Sequence, residues 1–111
     1  MSYHLLDEYA RLLTTDTKAC AQLFDSDAEY LTRLGSTDLH FRGREDIGRF
    51  LRHVPRQISF RAAHCIPDGD GYTGSLRVSS ADLGSRHIHV RFVVQSGRFR
   101  RFEVVTPPPV G

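Results

Sequence analysis

The sequence predicts a single α+β domain, in which helices pack against one face of a mostly antiparallel sheet. Two observations carry this prediction. Apolar residues recur at helical spacing before Pro55, and four strand-like runs joined by short glycine-containing turns follow it. A chain of 111 residues, 40% hydrophobic and 25% charged, suffices for one core. We expect residues 1–105 to form the domain and residues 106–111, "TPPPVG", to form a proline-rich tail, because prolines cannot extend a sheet ladder.

Two helices are predicted at the start of the chain. Apolar side chains at i, i+1, i+4, i+7 and i+8 form one stripe on the first helix: Leu5, Leu6, Tyr9, Leu12 and Leu13. A shorter second helix is expected through "KACAQLF", with Thr15 or Asp16 as its N-cap.

The stretch "FRGREDIGRFLRHVP", residues 41–55, reads as the end of a strand, a tight turn and a third helix. Gly43 supplies the turn, and Pro55 ends the helix because proline disfavours helical geometry in the residue before it. The helix has one apolar face, formed by Ile47, Phe50, Leu51 and Val54. That face must pack against another element.

Strands account for the rest of the chain. A short β-like pattern runs from Ala28 to Leu34, before the strand that ends at the turn. After Pro55, four runs should form an antiparallel meander: "QISFRAAHCI", "YTGSLRVSSA", "RHIHVRFVV" and "RFRRFEVV". The predicted order of elements is therefore α-α-β-β-α-β-β-β-β.

Period-two alternation assigns side chains to the two faces of this sheet. One face is expected to be apolar and to carry Ile58, Phe60, Ala62, His64, Ile66, Leu76, Val78, Ser80, Ile88, Val90, Phe92, Val94, Phe102 and Val104. At this spacing Phe99 and Phe102 should lie on opposite faces. The sequence leaves open whether the apolar face lines a hollow pocket or a solid core.

Composition narrows the classes of function. A net charge of +2 is too small to indicate a nucleic-acid-binding protein. No apolar run approaches the ~18 residues that would indicate a membrane span, and the N-terminus does not resemble a secretory signal. Cys20 and Cys65 are expected to be reduced, half-buried thiols of a cytoplasmic protein. No phosphate-binding glycine loop or metal-binding spacing occurs, so no cofactor is expected.

Three stretches resemble the nuclear-transport-factor-2-like superfamily in its SnoaL-like branch, over about residues 3–105. They are "DTKACAQLFDSDAEY" after the first helix, "FRGREDIGRFL", and the terminal hairpin "QSGRFRRFEV". The resemblance implies a cystatin-like, ketosteroid-isomerase-like cone, in which a strongly curved mixed sheet wraps round the helices and encloses a small-molecule pocket. It also implies a homodimer that pairs through the outside of the sheet.

The resemblance also indicates where catalytic groups would lie. Ketosteroid isomerases of this superfamily place a carboxylate base on the first strand, and Thr32 stands at that position here. A threonine hydroxyl is far too weak a base to abstract a carbon-bound proton near neutral pH. His89 falls near the position of the family's acid donor, but alternation sends it to the opposite face. Tyr9 matches the family's helix tyrosine in type and approximate place.

The residues themselves suggest a looser site. His64 is the one ionisable side chain placed on the apolar face of the long strands, and a histidine there can act as acid or base near pH 7. His64 and Tyr9 are therefore the catalytic candidates, with a hydrogen-bonded core histidine as the alternative for His64. The ligand-binding candidates comprise polar residues, some on the loop before Gly43, and apolar residues of the strands: Tyr30, Thr32, Asp38, His40, Phe60, Val78, Val90, Phe92 and Phe102.

The opposite face suggests a second function. His87 and His89 could hold a metal only with a third ligand, so we read them as part of a polar outer face. That face also carries Arg61, Arg77, Arg91, Arg101 and Glu103. Two hypotheses follow. The first is small-molecule binding with isomerase-, cyclase- or hydratase-type acid–base turnover of an apolar carbonyl or ring compound, and the second is a non-catalytic interaction module that uses the arginine-rich face.

Overall fold

The structure, a computed structural model, describes residues 2–34, 36–82 and 84–105. Its elements occur in the predicted order: α1 (Ser2–Leu12), α2 (Thr17–Ala21), β1 (Phe24–Leu34), β2 (Thr37–Arg42), α3 (Arg44–Leu51), β3 (Ser59–Asp68), β4 (Gly71–Ser80), β5 (Gly84–Gln95) and β6 (Arg98–Val105). The first strand begins at Phe24, four residues earlier than predicted. The predicted tail, residues 106–111, lies outside the described residues.

The strands form one six-stranded sheet in the order β2-β1-β6-β5-β4-β3. Neighbours are antiparallel except β1 and β6, which are parallel, so the sheet is mixed. The helix α1 packs across β3, and α3 packs across β1 and β2. Both helices therefore cover the same face, which we call the inner face. One end of this face is where β1, β4 and β6 end and where β2, β3 and β5 begin. We call it the open end.

Local sequence explains the helix boundaries. The side chain of Asp16 accepts a hydrogen bond from the Ala19 N–H at 3.1 Å and caps α2, which decides between the two predicted caps. Gly43 lies between β2 and α3 with φ of +89°, where a side chain would be strained, so glycine permits the turn. The predicted stripe of α1 is confirmed. Leu6, Tyr9 and Leu13 are buried on it.

Aromatic rings fill the centre of the inner face. Directly paired residues of five strands place a row of rings across the sheet, which we call the aromatic row: Tyr72, Phe92, Phe102, Tyr30 and Phe41. Within it, the rings of Tyr30 and Phe102 stack with centroids 5.3 Å apart. Phe24 and Phe99 lie against the Phe102 ring, at 6.0 and 5.1 Å. The end of the inner face opposite the open end is therefore a solid aromatic core, and we call it the closed end.

A bulge in β3 changes which residues face the core. Ala62 pairs with Leu76 and Cys65 with Gly74, so Ala63 and His64 together oppose one residue, Ser75. Cys65 takes the inward position and His64 is exposed. The prediction that His64 and Ile66 lie on the apolar face is therefore wrong, and Ile66 is 48% exposed.

A second irregularity corrects the assignment of Phe99. Val93 pairs with Arg101 but Val94 pairs with Phe99, so Arg100 is the extra residue in β6. The shift turns Phe99 inward, and Phe99 and Phe102 are both fully buried. The prediction that these two rings face opposite ways is wrong for this reason.

The remaining sequence expectations concern cysteines and membranes. Both cysteines are free thiols, and Cys20 is fully buried, whereas Cys65 is half-buried as expected. Burial raises the pKa of the Cys20 thiol to about 12, so it remains protonated near neutral pH. Within the described ranges, no helix is long and apolar enough to cross a bilayer.

Candidate functional site

Burial changes along the inner face. Toward the closed end, the side chains of Phe24, Phe99 and Phe102 have no exposed surface. Toward the open end, the inner face carries half-buried, mainly apolar side chains: Thr32, Leu39, Phe50, Val54, Phe60, Val78, Ile88 and Val104. Some of them are direct partners on neighbouring strands: Thr32 pairs with Leu39, and Phe60 pairs with Val78. The inner face therefore presents its accessible apolar surface at the open end.

The predicted ligand-binding residues divide into two groups. Phe60, Val78 and Thr32 belong to the half-buried set at the open end. Val90, Phe92 and Phe102 are at most 1% exposed and lie in the core below it. Those three side chains therefore support the open end and present no surface to solvent.

Two tyrosine hydroxyls meet beneath the apolar surface. The hydroxyl oxygens of Tyr9, on α1, and Tyr30, on β1, are 2.7 Å apart in a buried hydrogen bond. Both residues were site candidates from the sequence, and their hydroxyls meet here, away from the exposed His64. Burial raises the pKa of both hydroxyls, and the charge of Tyr30 raises that of Tyr9 further. Both groups therefore stay protonated and serve as hydrogen-bond donors, not as bases.

The two hydroxyls carry one proton that does not take part in their mutual hydrogen bond. Two hydroxyls carry two donor protons, and one lies in their mutual hydrogen bond. Either oxygen can be the donor, and the described residues supply no other hydrogen-bond acceptor to these hydroxyls. One O–H of the pair thus has no acceptor among the described residues, and both side chains are at most 4% exposed.

A double-mutant cycle tests the coupling of the two hydroxyls. We expect Tyr9→Phe and Tyr30→Phe each to lower the free energy of unfolding by about 1–3 kcal/mol, because each leaves one buried hydroxyl without its partner. The double variant should lose no more than one single variant loses, because it removes both polar groups. Urea unfolding measures all four proteins. Additive losses would contradict the coupling.

Carboxylates are absent from the inner face of the described strands. Glu29 and Glu103 flank the inward Tyr30, Phe102 and Val104 along their strands, so they lie on the outer face. Thr32 occupies the position at which the resemblance predicts a base. The described inner face can therefore donate hydrogen bonds and bury apolar groups, but it holds no carboxylate base.

Asp38 and His40 border a hollow of about 360 Å³ at the open end, which Thr32, Leu39 and Val104 also line. Both belong to β2 and not to a loop, and Leu39 and Phe41 take the inward positions. Asp38 accepts a hydrogen bond from Arg33 Nε at 3.0 Å, and His40 Nε2 lies 3.7 Å from a Glu29 oxygen. The prediction that they lie on a loop is wrong, because β2 extends through both residues and turns their side chains outward at the rim of this hollow.

Sequence reasoning missed some residues of the open end. Leu39, Phe50 and Val54 are half-buried there but were not among the predicted ligand-binding residues. Period-two alternation in "TDLHF" and the helical spacing of α3 were the available signals. Joining them to the strands after Pro55 needed the tertiary fold.

A separate groove of about 620 Å³ lies between α2 and α3. Its lining includes Lys18, Arg42 and Arg52 together with Glu45, so its walls are mainly charged. Gly48 of α3 faces α2, and an added Cβ would lie 3.4 Å from Ala21 Cβ, which is an ordinary contact. This groove lies outside the inner face and is unsuited to an apolar ligand.

Two histidines of β5 were possible metal ligands. His87 and His89 are exposed, and their direct partners on β4 are Arg77 and Ser75. Across the residues that the structure describes, no three His, Cys, Asp or Glu side chains are grouped to hold a metal ion.

Solved structures share this fold. A candidate ketosteroid isomerase from Kribbella flavida is 23% identical with a TM-score of 0.73, covering 97% of this chain and 82% of that one. A candidate polyketide cyclase from Sinorhizobium meliloti is 23% identical with a TM-score of 0.72, covering 92% and 94%. A protein from Sphaerobacter thermophilus is 21% identical with a TM-score of 0.75, covering 95% and 94%. At these identities the likeness shows the fold, a cone formed by a curved open sheet and three helices.

Comparison with curated proteins gave no match. The family model of the SnoaL-like domain matches residues 6–102, which is most of the chain. Together with the cone fold, this match confirms the resemblance read from the sequence. The chain belongs to the SnoaL-like domain family.

Proposed function

We propose that this protein binds a small, uncharged ring or carbonyl compound at the open end of the inner face. The observation that carries the proposal is the set of half-buried apolar side chains there, above a fully buried aromatic core. Each 100 Å² of apolar surface removed from water contributes about 2.5 kcal/mol. Part of that gain is lost to ordering the ligand, so we expect micromolar to millimolar affinity.

The tyrosine pair provides the polar contact in this proposal. A ligand carbonyl oxygen would accept the spare proton of Tyr9 or Tyr30, in place of the hydrogen bond that it loses from water. Tyr9 is thereby retained as a candidate for polarising a carbonyl. His64 has no part in it, because its side chain is exposed on the outer face.

Binding is favoured over proton-transfer turnover. Isomerase-, cyclase- or hydratase-type reactions need a base near the reacting carbon. The described inner-face strand positions offer tyrosine, threonine and cysteine side chains and also Arg86, which stands opposite Val78 at the open end and is too weak an acid to act as a base near neutral pH. Burial keeps Tyr9, Tyr30 and Cys65 protonated by raising their pKa values. The candidate enzymes among the structural neighbours nevertheless make a polyketide-like or steroid-like ring compound a reasonable class of ligand.

Two adjacent valines provide a matched test. Val104 faces inward and pairs with Val90, whereas Val105 faces outward and pairs with His89, and both are half-buried. We expect 2-decalone to shift the amide resonances of Val78, Ile88 and Val104 in the unmodified protein. Val104→Arg should weaken its binding at least tenfold, because a charge then borders the apolar surface. Val105→Arg should change the affinity less than twofold.

The hydrocarbon decalin tests the hydroxyl contact separately. In the unmodified protein 2-decalone should bind more tightly than decalin, and this difference should disappear in the Tyr9→Phe, Tyr30→Phe double variant. His64→Leu should leave both affinities unchanged. The proposal fails if Val104→Arg and Val105→Arg weaken binding equally, or if the shifted resonances lie between α2 and α3.

Three other expectations stay predictions. A homodimer would be formed through the outer face, where Ile66 is 48% exposed and Arg91 pairs with Glu103. Such a contact is one form of the interaction-module hypothesis, and docking of another partner on the arginine-rich face also stays a prediction. A cytoplasmic location and the lack of nucleic-acid binding also stay predictions.

A further inference from the structure

Two neighbouring rows of polar side chains cross the outer face of β3, β4 and β5 at the open end. The serine row consists of Ser59, Ser79 and Ser85, which are direct cross-strand partners. The cationic row, named for its two arginines, lies two residues nearer the middle of each strand and consists of Arg61, Arg77 and His87. Because side chains two apart share a face, these six residues form one continuous patch.

The cationic row is electrostatically unusual for this sheet. Arg61 and Arg77 are directly opposite each other on antiparallel strands, an arrangement that destabilises a sheet through like-charge repulsion. Elsewhere on the same face, arginines pair with carboxylates, since Arg91 opposes Glu103 and Arg101 opposes Glu29. Neither of the two rows contains a carboxylate. The row therefore carries positive charge that the sheet does not neutralise.

The contacts of the two arginines leave most of their donors unused. Arg77 donates from Nε to Ser85 Oγ at 3.1 Å, which fixes its guanidinium and leaves the terminal nitrogens open. For Arg61, the described residues provide no hydrogen bond or ion pair. The Ser59 hydroxyl reaches the Ser79 carbonyl only at 3.5 Å, a weak contact that it can exchange for a better acceptor.

A hollow connects these groups. It has a volume of about 240 Å³ and is lined by Ser59, Phe60, Arg61, Arg77 and Ser79. Pockets for whole drug-sized ligands have volumes of about 300–1,000 Å³, so this one suits a single compact group. Two guanidinium groups with flanking hydroxyls match the oxygens of a tetrahedral dianion, which can accept several charge-assisted hydrogen bonds at once.

We infer that this hollow binds a phosphate group, either as inorganic phosphate or carried by a small monoester. Arg61 and Arg77 hold the phosphate oxygens, and the hydroxyls of Ser59 and Ser79 donate to them. The site lies on the opposite face of the sheet from the proposed apolar site and does not depend on it.

Phenyl phosphate and inorganic phosphate, titrated at low ionic strength and followed by amide resonances, test the inference. Phenyl phosphate binding should saturate and should shift the amide resonances of Ser59, Arg61, Arg77 and Ser79, and inorganic phosphate should shift the same four. Arg61→Gln should weaken phenyl phosphate binding about tenfold, since one charge-assisted pair is lost. Arg91→Gln is the matched control, because Arg91 is on the same face but already has Glu103 opposite, and it should change the affinity less than twofold.

Stability provides a second measurement. Because Arg61 is exposed and faces another arginine, Arg61→Gln should fold and melt at the same or a slightly higher temperature without anions. Adding phenyl phosphate should raise the melting temperature of the unmodified protein and not that of Arg61→Gln. Equal weakening by Arg91→Gln would overturn the site. Failure of either phosphate to shift these four resonances would overturn the assignment to a phosphate group.

Discussion

Replacing Phe102 by alanine is expected to lower the free energy of unfolding by about 3–5 kcal/mol, because a large buried ring leaves a cavity that the core cannot fully close. Phe102 has no exposed surface and contacts the rings of Tyr9, Tyr30, Phe92 and Phe99. It belongs to the aromatic row that crosses the sheet. Its loss therefore weakens the packing of α1 as well as three strands.

Urea unfolding of the variant gives the loss directly. Phe60→Ala is the matched control, because Phe60 lies on the same face but is only half-buried at the open end. Phe60→Ala should lower the free energy of unfolding clearly less than Phe102→Ala does. Benzene should restore part of the stability of Phe102→Ala and have little effect on the control, since an apolar cavity can bind a ring of that size. Equal losses in the two variants would show that the centre of the fold is not the solid core described above.

The second large effect is expected at Gly74. A Cβ built there would lie 2.8 Å from the His64 carbonyl oxygen and 2.8 Å from Leu6 Cδ2. The carbonyl belongs to the neighbouring strand, next to the bulge, so it cannot move without disturbing the pairing of β3 with β4. We expect Gly74→Ala to cost about 1–3 kcal/mol, and Gly74→Val to cost more, because both overpack the contact between α1 and the sheet.

A second glycine separates steric overlap from a general effect of removing glycine. Gly48 lies within α3, and a Cβ there would meet Ala21 Cβ at 3.4 Å, which is an ordinary contact. Gly48→Ala should therefore raise the free energy of unfolding by up to about 1 kcal/mol, since alanine is the better helix former. Thermal unfolding of both variants shows opposite shifts if Gly74 is needed for the approach of α1. A stabilising Gly74→Ala would contradict the close packing of Leu6 against β4.

The two variants also bear on the proposed ligand site. Gly74 seats Leu6, and Leu6 lies one turn before Tyr9 on α1. A displaced helix would move the Tyr9 hydroxyl from its 2.7 Å contact with Tyr30. Gly74→Ala should therefore reduce the preference for 2-decalone over decalin, whereas Gly48→Ala should not.

Local patterns were sufficient where neighbouring residues decide the structure. Asp16 caps α2, Gly43 makes the turn before α3, and the glycine-containing connections join the strands after Pro55, all as the sequence predicts. Helical spacing predicted the buried side of α1 correctly, with Tyr9 in its stripe. The family resemblance was likewise carried by short local stretches, and the family match confirms it.

Face assignments failed where a strand departs from regular alternation. One extra residue in β3 turned His64 and Ile66 outward, and one in β6 turned Phe99 inward. The extension of β2 through Asp38 and His40 likewise turned both residues away from the inner face. Nothing in the local composition indicates a bulge, because its position is decided by how the paired strands and the covering helix fit together.

The sequence alone was enough to predict the order of the helices and strands, the family, the inward position of Tyr9 and the near-neutral balance of charges. These follow from spacing and turn chemistry, which act over a few residues. Only the folded sheet decided that the aromatic rings fill the closed end, that two tyrosine hydroxyls meet, and that Arg61 stands opposite Arg77. Each of these depends on register between strands distant in sequence, and one extra residue in a strand is enough to reverse a face.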